Sequence, residues 1–181
     1  MNPTTGPRIP FVPADIAEPA EVVAAIRARR GGELLALDRM LLHSPALAAG
    51  WNTFLGAVRN GLLVDRRLRE LAMCTVAVLN GAEYEYVQHA PLYIAAGASA
   101  QQAQALRDPD AARADAALFN ALERAALGLV IEMTRHVAVA DATFAELRRH
   151  LSERETVELV GVTAAYNMVS RFLVATGIHP D

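Results

Sequence analysis

From residue 18 onward the apolar positions recur with the period of a helix, and alternating β-branched runs are nearly absent, so the pattern predicts helices and no sheet. Residues 18 to 30 form a first predicted helix that stops at Gly31-Gly32, where a left-handed cap costs little. A second, about 33 to 43, ends before Pro45. The third, about 46 to 60, carries Leu47, Trp51, Phe54, Leu55 and Val58 in an i, i+4, i+7, i+8, i+11 stripe expected to face the core. Asp65 is suited to cap a fourth helix, about 66 to 80, by accepting from the free N–H groups of its first turn. There Leu68, Leu71, Ala72, Thr75, Val76 and Leu79 make one apolar face, and Cys74, Ala77 and Val78 cover most of the other. A helix apolar nearly all round is expected at the centre of the fold.

Asn80-Gly81 interrupts the pattern, and a helix resumes near Glu83 and runs to Gly97 with Pro91 inside it. Pro91 removes one backbone bond and crowds the carbonyl of Val87, which predicts a kink or break just after His89. Ser99 to Gln102 reads as a capping box opening a short helix, with Arg107 to Asp110 as the loop after it. A long helix, about 113 to 136, follows, then one from Asp141 to about His150. Ser152 to Glu155 is a second capping box, opening the last long helix, which ends at Gly177. The result is an all-α bundle of eight or nine helices. Leu68-Arg-Glu-Leu71 and Val157-Glu-Leu159 both enter long apolar helices, which suggests a duplicated helical hairpin.

Residues 1–17 precede all this as an extended arm, because Pro3, Pro7, Pro10 and Pro13 each lack a backbone donor and restrict the residue before them. Such an arm could wrap a neighbouring subunit. Residues 18–181 are then one helical domain, a size for which 53% hydrophobic content supplies a continuous core.

Net charge of -3, from 17 basic and 20 acidic residues without a block of like charges, argues against a nucleic-acid partner. No uninterrupted apolar run reaches the ~20 residues that span a bilayer, and the N-terminus lacks a signal-peptide pattern, so a cytoplasmic location is expected. The single cysteine, Cys74, has no second cysteine for an internal disulfide, and its helical, apolar setting reads as a buried core thiol.

The chemistry-bearing window runs from Arg67 to Gly97. Glu70 falls inside the apolar central helix, where a bare charge is costly, so it needs a hydrogen-bond partner or a proton. Glu85 and His89, at i and i+4, share a helical face with Tyr86 and Tyr93 beside them. That spacing alone is cheap: Glu132/His136 and Glu146/His150 repeat it, and a surface pair of this kind contributes only ~0.2–0.5 kcal/mol. The surroundings add weight, because Asn80-Gly81, two glutamates, two tyrosines and Pro91 gather polar groups beside the most apolar helix, as around a lined cavity. Neither a His-Glu-x-x-His nor a di-iron Glu-x-x-His motif is present, so no metal is expected.

The stretch R-L-R-E-L-A-M-C-T-V-A-V-L-N-G-A-E-Y-E-Y-V-Q-H-A-P-L-Y-I-A-A-G-A-S resembles the signature region of the carboxymuconolactone decarboxylase and AhpD-like superfamily. The tail E-L-V-G-V-T-A-A-Y-N-M-V-S-R-F-L-V-A-T-G-I is similar to the closing helix of its decarboxylase-type members. In the redox members a glutamate, a Cys-x-x-Cys and a histidine follow one another; laid on this chain, the glutamate is Glu70, the histidine His89, and the cysteine positions hold Ala82 and Glu85. Thiol peroxidase chemistry is therefore disfavoured.

What the resemblance implies is a cofactor-independent lyase acting on a small carboxylated lactone or related carbonyl acid, as in aromatic-compound catabolism. His89 would be the general acid/base, oriented by Glu85 or Glu70. Tyr86 and Tyr93 would line the pocket, and Asn167 or Arg171 would meet an anionic substrate, although a structural ion pair is the plainer role for Arg171. The resemblance also implies a homo-oligomer, trimer or hexamer. Two alternatives stay open: a non-catalytic scaffold in which Glu70 and His89 merely satisfy each other, and recruitment to isomerisation, dehydration or cyclisation.

Overall fold

The computed structural model describes residues 6–180, so Pro3 of the arm lies outside the described residues. Among the described residues there are ten α-helices and no strand. The chain divides into two compact units: residues 6–61 with Thr176–His179, and Leu62–Ala175 with Pro180.

The first unit contains α1 (Ala20–Arg30), α2 (Ala36–Leu41) and α3 (Pro45–Asn60). Gly31, at φ 79°, closes α1 in the left-handed region by donating to the Arg27 carbonyl. Residues 10–14 of the arm bond to helices of their own unit. Arg39 donates to the Val12 carbonyl at 2.7 Å and lies over the Phe11 ring, His43 donates to the Pro10 carbonyl, and Arg27 holds the Ala14 carbonyl. Asp38 is buried, paired with Arg30 at 2.9 Å, and accepts from the Leu35 N–H at the start of α2. On α3 the buried residues are Ala48, Trp51, Leu55 and Val58, whereas Leu47 and Phe54 are about half exposed. The expected stripe is therefore rotated toward Ala48: a 3.6-residue period admits both registers, and only packing chooses between them.

In the second unit, α4 (Arg66–Leu79) is buried continuously from Leu68 to Ala77 and packs between α5 (Glu83–Ala95) and α8 (Ala121–His136). Asp65 caps it, accepting from Arg67 and Leu68. Pro91 does not break α5, which runs on to Ala95. One lost backbone bond is outweighed by the face of Glu85, Tyr86, His89 and Tyr93 that the helix buries. The segment expected as a loop after α6 (Ala100–Ala105) instead starts α7 (Pro109–Ala114): Asp108 accepts from the Ala111 N–H and Pro109 occupies the first turn, where its missing donor costs nothing. The single long helix expected over 113 to 136 is interrupted. Asp115 accepts from Ala117 and Leu118, and Asn120 and Glu123 form a reciprocal capping box that starts α8 afresh.

After α9 (Asp141–Arg148), the Ser152–Glu155 box opens α10 (Glu153–Thr176). Glu158 ties α10 to the approach of α4 by accepting from the N–H groups of Leu63 and Val64. By length and composition α10 is apolar enough to cross a membrane, but half of its most apolar stretch is buried inside the fold, as in a core helix.

Candidate active site

Helices α4 and α5 form a hairpin through Asn80–Ala82. Gly81 takes φ 67°, a conformation that a side chain disfavours, and the Ala82 N–H returns to the Ala77 carbonyl at 2.8 Å. Glu70 lies ten positions before Asn80 and His89 nine after it. At 1.5 Å per residue Glu70 is roughly 14 Å before the end of α4 and His89 roughly 9 Å into α5, and their long side chains close the remaining offset.

There His89 Nδ1 and Glu70 Oε2 are 2.7 Å apart, in side chains 5% and 7% exposed as residues. An ionised carboxylate only accepts, so in its contact with one Nδ1 carries the hydrogen. Glu85 is 2% exposed and accepts from the Ser170 hydroxyl, which stands 3.0 Å from both of its oxygens. The Tyr166 ring meets the His89 imidazole edge-on, with centroids 5.0 Å apart and planes at 87°.

Ser170 and Tyr166 are an i, i+4 pair on the buried face of α10. Neither was singled out from the sequence. The closing segment did contain this spacing, but nothing along the chain links it to residues about 80 positions away.

Cys74 lies one turn after Glu70 and is fully buried. Burial above all, and then the charges of Glu70 and Glu85, push its thiol well above the ordinary cysteine range, so it stays protonated and unreactive. The two carboxylates whose charges reach this neutral thiol and the imidazole paired with Glu70 make up one set. Such a set can store and pass protons, whereas it lacks the thiolate that attack on a peroxide requires.

Tyr86, Tyr93, Asn167 and Arg171 are the residues expected to bind substrate, and the two tyrosines both lie near Cys74. Tyr86 donates to the Ala103 carbonyl at 2.6 Å and carries the Arg107 guanidinium 3.5 Å over its ring. Tyr93 is fully buried among the charges of Glu123 and Arg67; burial first, then Glu123, pushes its phenol up. Asn167 clamps helices, donating to Thr134 and the Thr163 carbonyl and accepting from Asn80. Arg171 is exposed on α10. Among the described residues no group of three or more His, Cys, Asp or Glu side chains is placed to hold a metal ion.

Residues 45–128, which include Glu70, Glu85 and His89, match the model of the carboxymuconolactone decarboxylase family. Over that segment the chain is similar to the carboxymuconolactone decarboxylase family. Solved structures share the fold of this chain along nearly its whole length. An uncharacterized peroxidase-related protein from Silicibacter sp. TM1040 is 18% identical, with TM-score 0.81, and the match covers 100% of this chain and 95% of that one. A cysteine-to-alanine variant of the debrominase Bmp8, in complex with 2,3,4-tribromopyrrole, is 16% identical, with TM-score 0.81 and 97% and 94% of the two chains covered. An alkylhydroperoxidase AhpD core protein from Ralstonia eutropha JMP134 is 17% identical, with TM-score 0.80 and coverages of 97% and 92%. No curated protein matches the chain in sequence. At these identities the neighbours establish the fold alone, and the chemistry rests on the residues.

Proposed function

We propose that the protein is a cofactor-independent lyase that moves protons at a small carboxylated lactone or related carbonyl acid. The observation that carries this reading is the buried 2.7 Å contact between Glu70 and His89, at a position where redox relatives pair an acid and an imidazole with two sulfurs that this chain lacks. In the reaction the bond from carbon to the substrate carboxylate breaks. Its electron pair passes into the conjugated lactone carbonyl, carbon dioxide leaves, and the His89 imidazolium returns a proton to carbon. Glu70 stabilises the imidazolium while it exists. With two carboxylates at its centre, the site repels an anion placed directly on it, so the departing carboxylate is held to one side and the carbon that is protonated faces His89.

A purified sample given a carboxylated muconolactone in D2O tests this. Expected are carbon dioxide release and one solvent deuterium on product carbon, with His89→Ala and Glu70→Gln slower by about 10²–10⁴-fold. Full turnover by a folded His89→Ala variant would falsify the assignment.

A second reading is favoured by burial: with Glu70 and His89 only 7% and 5% exposed, the pair also suits a scaffold that seals two polar groups in its core. Absence of turnover and of solvent exchange across a panel of lactone and carbonyl acids would establish that reading instead. We infer further that the protein works as a homo-oligomer, supported by exposed apolar Val87 and Ile94 on α5 and Val157 and Met168 on α10. A monomeric mass by light scattering contradicts it.

A further inference from the structure

Ser170 is fully buried, and its hydroxyl is equidistant, at 3.0 Å, from the two oxygens of Glu85. A hydroxyl centred on a carboxylate donates to it, and donation to the charged form favours that form. Glu85 in turn precedes His89 by one turn of α5, on the same face. Four residues before Ser170 on α10, Tyr166 sets its ring edge against the imidazole. One face of α10 therefore touches both the second carboxylate and the histidine.

We propose that Ser170 is a positioning residue that holds Glu85 ionised and, through Glu85, raises the proton affinity of His89. The inference rests on the proton-transfer reading for its purpose, but its geometry stands without a substrate. Among the groups facing Glu85 and His89 are Glu70 and Cys74 on α4 and Tyr166 on α10, and the Arg107 charge also reaches Cys74. Cys74 and Tyr166 add no charge near neutral pH, since the thiol is held protonated and a buried phenol resists ionisation. Glu70 lies 2.7 Å from His89 on the side of α4. What the hydroxyl alters is whether the second negative charge persists. Losing this donor shifts Glu85 toward the neutral carboxylic acid and weakens its support of the imidazolium.

NMR titration of the carboxyl carbons and imidazole nitrogens tests this in the full chain, comparing wild type with Ser170→Ala, Ser170→Thr and Glu85→Gln. In Ser170→Ala, Glu85 should bind its proton roughly ten times more tightly, and His89 should bind its own roughly three to ten times less tightly. Glu85→Gln should move His89 in the same direction, and Ser170→Thr should restore both midpoints. If Ser170→Ala does not fold, Ser170→Cys, which keeps the volume with a weak donor, reads the same two shifts. Unchanged midpoints for either Glu85 or His89 in a folded variant lacking the hydroxyl overturn the proposal. Because no turnover is measured, that failure is distinct from failure of the lyase reading.

Discussion

His89 and Glu70 stand 19 positions apart in the chain, yet Nδ1 of the imidazole lies 2.7 Å from Oε2 of the carboxylate, inside the pair of helices that the Asn80-Gly81 turn folds together. A hydrogen bond to an ionised group, made by two side chains both largely removed from water, contributes about 1.5–3 kcal/mol. Removing either partner costs more, about 3–5 kcal/mol, because the other is left buried alone. Urea unfolding of Glu70→Ala, His89→Ala and the double variant should accordingly show a coupling of about 1.5–3 kcal/mol. Additive losses would mean that the two groups do not meet.

Cys74 supplies a check that needs no substrate. Its thiol is pushed up by burial first and by the charges of Glu70 and Glu85 next, and only a thiolate attacks a disulfide reagent or a peroxide. An aromatic disulfide reagent at pH 8 should therefore label no thiol in the folded protein and one per chain in guanidinium. Rapid labelling of the folded chain would restore a redox role.

Much of this arrangement was legible in the residues. Asp65, Ser99 and Ser152 were readable as caps because a capping side chain bonds within its own first turn, and α4 was readable as central because both of its faces are apolar. Glu70 required a partner on desolvation grounds alone, and the family resemblance pointed to His89. What escaped were contacts set by how helices cross. Ser170 meets Glu85 across 85 positions, and the arm is pinned by Arg39 at 27. The interruption at 115–120 was missed for a local reason: Asp115 and Asn120 hydrogen-bond their own backbone, and a count of apolar positions does not register this.

Asp38 anchors the first unit through charge. Its carboxylate is 2% exposed, pairs with Arg30 at 2.9 Å and Arg29 at 3.6 Å, and accepts from the Leu35 N–H. Asp38→Ala would leave guanidinium groups without their counter-charge in a partly buried site, costing about 3–5 kcal/mol. In a chain of this size that lowers the melting temperature by roughly 6–20 °C, read by calorimetry. A change within 2 °C would place these charges in water rather than in the fold.

Glu83 and Arg107 give a stability term with a defined sign in pH. The hydrogen bond from Arg107, ahead of burial and charge, holds the Glu83 carboxyl below its ordinary value of 4.5. A depressed acid stabilises the fold fully above the unfolded value and loses that contribution as pH falls through the folded one. Since the Glu83 side chain is 48% exposed, solvent screening limits the effect to about 0.5–1 kcal/mol. The stability difference between wild type and Glu83→Gln should be largest near neutral pH and shrink once pH drops below 4.5. A difference that stays constant to pH 2.5 would remove the ionised pair from the account.

Val137 ends α8 at φ 67° and ψ -47°, donating its N–H to the Met133 carbonyl with its side chain 82% exposed. A β-branched residue in this region is strained by about 1–3 kcal/mol, and an exposed isopropyl group offers little burial to offset it. Glycine adopts the conformation freely but adds about 0.5–1 kcal/mol of backbone entropy to the unfolded chain. Val137→Gly should therefore stabilise the protein, by up to about 2.5 kcal/mol net, a rise of up to several degrees in melting temperature. Val137→Ile, which keeps both the branch and the strain, should leave it unchanged, so a loss of stability in the glycine variant alone would show that the valine conformation is unstrained.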